Sequence, residues 1–111
     1  MSDTSLPLTP PEWPEWGNPL EDPEVYAVMK AYTPYENVRE GVRYPRILAV
    51  TSLNDTRVYY VEPAKWVARL RELATNDPQT RPILLHTEMS AGHGGRSGRY
   101  DAWREVAWEW S

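Results

Sequence analysis

One histidine in this chain sits where it could move protons. His93 lies in Ser90-Ala91-Gly92-His93-Gly94-Gly95-Arg96-Ser97-Gly98-Arg99, a stretch with four glycines in ten residues. An imidazole titrates near neutrality, so it can take and return a proton at physiological pH. Glycines around it strip side chains from the backbone, permit positive φ and leave room for another group to come close. A histidine used only for packing needs no such clearance, so His93 reads as a general base. A base of this kind works best when a carboxylate fixes its tautomer and balances the charge it acquires.

The elements upstream supply a candidate carboxylate. Ile47-Leu48-Ala49-Val50-Thr51 is a short apolar run after Pro45, which reads as a strand buried on both faces. Ile83-Leu84-Leu85-His86-Thr87 is a second run of the same type. Between them Glu62-Pro63 opens a helix with Trp66, Val67, Leu70, Leu73 and Ala74 on one face and Lys65, Arg69, Arg71 and Glu72 on the other. A strand, a crossover helix and a strand form a right-handed unit with parallel strands. The loops after parallel strands leave from one edge of the sheet, where ligands bind. Asp55 and His93 occupy those two loops, so the carboxylate and the imidazole are expected to meet.

The remaining segments frame this unit. Asp22-Pro23 reads as an N-cap followed by proline in the first turn, and Val25, Val28, Met29 and Tyr32 give the ensuing helix an apolar stripe for the core. Thr33-Pro34 ends it. Tyr100, Trp103, Val106, Ala107 and Trp110 mark a last helix that runs to Ser111 with no capping glycine. Residues 1–20 hold Pro7, Pro10, Pro11, Pro14 and Pro19, and read as an extended, Pro/Trp-rich arm whose Trp13 and Trp16 dock on the domain.

An acid and a base are two thirds of a hydrolytic triad. The third member, a serine in a Gly-x-Ser-x-Gly elbow before both, does not occur in these 111 residues. Ser2 and Ser5 lie in the proline-rich arm and Ser52 ends a strand. Ser97 follows the histidine and reads as a helix-start residue.

Five strings in order carry a resemblance: Trp13-Pro14-Glu15-Trp16-Gly17-Asn18-Pro19, Tyr32-Thr33-Pro34-Tyr35-Glu36-Asn37-Val38, Leu53-Asn54-Asp55-Thr56-Arg57-Val58, Glu62-Pro63-Ala64-Lys65-Trp66 and Gly92-His93-Gly94-Gly95. Over residues 12 to 110 the sequence resembles the end of the oligopeptidase B group in the prolyl oligopeptidase family of serine peptidases. The resemblance implies an α/β fold, the C-terminal portion of an α/β-hydrolase domain with an incomplete sheet over residues 1–111. It implies Asp55 as triad acid and His93 as general base. Arg57 would hydrogen-bond a substrate carbonyl near the scissile bond, and Trp16 would help line the specificity pocket. The substrate implied is a short peptide cut after Arg or Lys. The partners implied are the remainder of the hydrolase domain and a β-propeller, in cis or in trans. Nucleophile, oxyanion hole and propeller all lie outside this sequence, so the isolated chain is expected to be inactive and to associate.

Composition narrows the other options. A net charge of −4 offers no basic surface for nucleic acid or an anionic membrane. No apolar run reaches the length of a membrane span, and Met1-Ser2-Asp3-Thr4-Ser5 lacks the form of a signal peptide, so a cytoplasmic protein is expected. The absence of cysteine removes disulfides and thiolate chemistry. No cofactor is implied. A metal site drawn from His86, Glu88, His93 and Asp55 lacks a recognised ligand spacing, and none is expected. The alternative from another class is a non-catalytic interaction module that binds a partner through its Trp/Pro-rich arm.

Overall fold

The computed structural model describes residues 2–95 and 97–111; Met1 and Arg96 fall outside them. Four helices and two strands follow in the order α1 (Thr9–Trp16), α2 (Pro23–Tyr32), β1 (Ile47–Ser52), α3 (Val61–Leu73), β2 (Ile83–Glu88) and α4 (Arg99–Glu109). The strands pair in parallel, from Ile47 opposite Ile83 to Ser52 opposite Glu88.

The crossover helix forms as its periodicity predicts. Val67 and Leu70 are the most deeply buried side chains, and with Val38, Ala49 and Ile83 they make the core. Trp66, Leu73 and Ala74 pack around them. Arg71 ties the helix to the sheet by donating from Nε to the Ile83 carbonyl at 2.8 Å. At the amino edge of the sheet, Asn76 accepts from the Tyr44 amide and donates to the Arg81 carbonyl, so one side chain aligns the starts of both strands.

Expectation and structure part at the second face of the sheet. Ala49 and Ile83 belong to the core beneath α3, but Leu48, Val50 and Leu84 point the other way and are exposed. On this second face only the carboxyl ends of the strands are covered: Ser52 and Glu88 are buried there, and α4 comes over them with the Trp108 ring 4.2 Å from that of His86. The stripes on the outer helices are likewise uncovered. In α2 Met29 is buried, whereas Val28 and Tyr32 are 62% and 65% exposed. In α4 no residue is buried, and Tyr100, Trp103 and Trp110 face outward.

The proline-rich arm is not wholly extended, as its five prolines suggest. Pro10 and Pro11 fall in the first turn of α1, where amide hydrogens have no partner within the helix in any case. Only Pro14 removes an internal bond. Gly17 then stops the helix at φ +89°, with its amide bonded to the Trp13 carbonyl. Asp22 caps α2 as expected, its carboxylate accepting from the Glu24 and Val25 amides.

Candidate functional site

Both loops that follow the strands leave the carboxyl edge of the pair. The first is an extension of the ladder, because the Leu53 amide donates to the Glu88 carbonyl at 2.8 Å. It then turns sharply. Asp55 Oδ1 accepts from the amides of Arg57 at 2.8 Å and Val58 at 2.9 Å, so the side chain that could do chemistry also folds its own loop.

The second loop is a tight turn from Gly92 to Gly95, closed by the Gly95 amide on the Gly92 carbonyl at 3.1 Å. His93 rides at its first corner. Gly95 has φ +75°, a left-handed conformation that residues with a side chain rarely adopt, and a Cβ there would sit 3.3 Å from Glu105 Oε2, so the position favours glycine. Gly94 has no such need: its φ is ordinary and an added Cβ would meet nothing. The clearance inferred for the whole glycine cluster is thus a conformational demand at Gly95 and Gly98, the latter at φ +105°.

The two loops bring the carboxylate and the imidazole together across 38 residues of sequence. His93 Nδ1 lies 2.8 Å from Asp55 Oδ2. Asp55 is 9% exposed and His93 46%. Burial works against ionising the carboxyl, but the Val58 amide, the His93 ring and the Arg57 amide outweigh it and hold Asp55 below the usual carboxylate range. An ionised carboxylate only accepts hydrogen bonds, so the proton between the two groups belongs to Nδ1, which in the neutral ring leaves Nε2 as the acceptor nitrogen. The half-exposed ring lines an open groove of about 540 Å³ shared with Val50, Val58 and Val106.

Arg57 and Trp16 are placed differently. Arg57 is exposed, holds Asp55 through its backbone amide, and is not among the described residues lining the groove. Trp16 closes α1, is 58% exposed and also stands outside the groove. Ser97 precedes α4 outside any strand-turn-helix elbow. A residue that sequence reasoning passed over is Glu105, which lines the groove from α4. Its position follows from α4 turning Ala102, Glu105 and Glu109 inward, the face opposite to its aromatic stripe.

The lowered pKa of Asp55 has a consequence for stability. As pH falls, the unfolded chain protonates this carboxyl near its ordinary value of about 3.9 before the folded chain does. Its contribution is therefore complete above about pH 5 and is lost as pH falls through the lower, folded-state value. Asp55→Asn is expected to flatten the acid side of a melting-temperature profile between about pH 5 and 3. An acid side identical to that of the parent chain would show that Asp55 stores no such stability.

A profile of the prolyl oligopeptidase family matches residues 1–111. Protease 2 of Moraxella lacunata is 50% identical over 107 residues, which cover 96% of this chain and 15% of that protein. Dipeptidyl aminopeptidase BI of Pseudoxanthomonas mexicana is 46% identical, over 96% of this chain and 14% of that protein. The solved structure of oligopeptidase B from Leishmania major superposes with a TM-score of 0.86 at 45% identity, over 96% of this chain and 14% of that one. The chain thus spans about one seventh of the length of the proteins it matches.

Proposed function

Because this chain belongs to the prolyl oligopeptidase family, we propose that it supplies the acid and the general base of a Ser-Asp-His triad that hydrolyses short peptides. Its α/β fold with a parallel strand pair is part of an α/β-hydrolase domain. The observation that carries the proposal is the 2.8 Å contact between His93 Nδ1 and an Asp55 carboxylate already anchored by two amides.

In the proposed reaction His93 Nε2 takes the proton of a serine hydroxyl as that oxygen attacks the scissile carbonyl. The same nitrogen then returns the proton to the leaving amine, and the acyl-enzyme is released by a water that His93 activates in the same way. Asp55 stays ionised throughout, holds the Nδ1 proton and balances the charge on the ring. The serine and the oxyanion hole come from hydrolase residues beyond these 111, with a β-propeller as further partner. Cleavage after Arg or Lys is the specificity we assign, with Arg57 on the substrate backbone and Trp16 at the edge of the pocket.

The test joins this chain to what it lacks. Replacing the matching 107 residues of Moraxella lacunata Protease 2 with this chain is expected to give an enzyme that cleaves Arg-containing chromogenic peptides. The 111-residue chain alone is expected to give no turnover above the uncatalysed rate. A soluble, folded chimera without activity, or turnover by the isolated chain that His93→Ala abolishes, would sink the proposal.

A further inference from the structure

A second set of side chains converges beside the Asp55–His93 pair and takes no part in the proposed hydrolysis. His86 and Glu88 stand two residues apart on β2, and therefore on one face of the sheet, the face turned away from α3. Glu105 comes down onto them from the inward side of α4. One ring nitrogen and one oxygen from each carboxylate lie within 4.8 Å of one another. We propose that His86, Glu88 and Glu105 form a site for a divalent cation of the zinc class.

The ligand set is a mixed one. A neutral imidazole and two carboxylates are donors that zinc accepts, and an ion with such ligands at about 2.0–2.2 Å holds them roughly 3.4 Å apart. Closing the trio from 4.8 Å requires a movement of little more than 1 Å, within the reach of side-chain torsions. The ligands are placed by separate means. Glu88 is 5% exposed, at the inner end of β2, and its Oε1 accepts from the Ser90 amide and hydroxyl at 2.9 and 2.7 Å, which fixes the carboxylate plane. His86 is steered by Trp108, whose ring centroid lies 4.2 Å away, one helical turn beyond Glu105.

An ion here would also connect two elements that share little packing. It would bind β2 to α4, a helix with no buried residue of its own. Gly95 of the His93 turn lines the same groove as Glu105, so the ion would steady the wall of the groove next to the general base.

Isothermal titration of the full 111-residue chain with Zn²⁺, read in parallel by far-ultraviolet dichroism, tests the site. The expected result is one equivalent bound with a rise in melting temperature. His86→Gln and Glu105→Gln should each weaken binding by more than about tenfold, whereas His93→Gln should leave it unchanged. Dichroism also covers a chain that orders only with the ion, since ligand-dependent folding would still fail in the two variants. No heat and no ordering at micromolar Zn²⁺ would overturn the proposal, as would binding that persists in both variants or that is lost instead in His93→Gln.

Discussion

His93→Ala in the Protease 2 chimera is expected to lower kcat by roughly 10⁴ to 10⁶ while leaving KM within a few-fold. The reason is that the imidazole acts on the reacting proton and contributes little to holding the peptide, so its loss falls on the transition state. Asp55→Asn should cost about 10⁴, because the amide can donate to Nδ1 and so reverses the tautomer, leaving the ring's proton on Nε2 where an acceptor is needed. The double variant should be hardly worse than His93→Ala alone, since the two groups work as one unit across their 2.8 Å contact. Steady-state kinetics on one Arg-containing substrate decide the matter. Losses that simply multiply, or an Asp55→Asn enzyme at near-parental rate, would show that the contact is structural.

How much of this could be read without coordinates depended on whether the information was local. The crossover unit was legible because its signals are: an apolar run, a helix with Val67 and Leu70 on one face, and a second apolar run. Parallel pairing then followed from connection rules, and it sufficed to bring Asp55 towards His93. What the periodicity could not convey is which apolar faces find a cover. Val28, Tyr32 and Trp103 sit at helical spacing that reads as core, yet they are exposed, since coverage depends on elements elsewhere in a fold. Glu105 was missed for the same reason. The aromatic stripe of α4 argues that its other side faces solvent, and the helix is turned so that this other side lines the groove. The helix in the arm was hidden by counting prolines without asking which of them fall in a first turn.

Leu70→Ala is expected to destabilise both the isolated chain and the chimera by about 2–5 kcal/mol, the usual cost of emptying a fully buried leucine site. In the isolated chain that is enough to unfold most molecules, because a two-stranded sheet with much of one face uncovered has little stability in reserve. Leu48→Ala separates the two contexts. Leu48 sits on the outer face of β1 and is exposed, so in the isolated chain its truncation should change stability by no more than about 0.5 kcal/mol. If the remainder of a hydrolase domain covers that face, as the proposed function requires, the same truncation in the chimera becomes a core deletion. It should then cost about 2 kcal/mol or more, visible as a lowered urea midpoint at unchanged slope. Val50 and Leu84 lie on the same face and should follow the same pattern. Equal, negligible effects in both contexts would mean that the face stays open to solvent in the assembled enzyme. The exposed side of the sheet would then have to be explained by something other than a missing part of the fold.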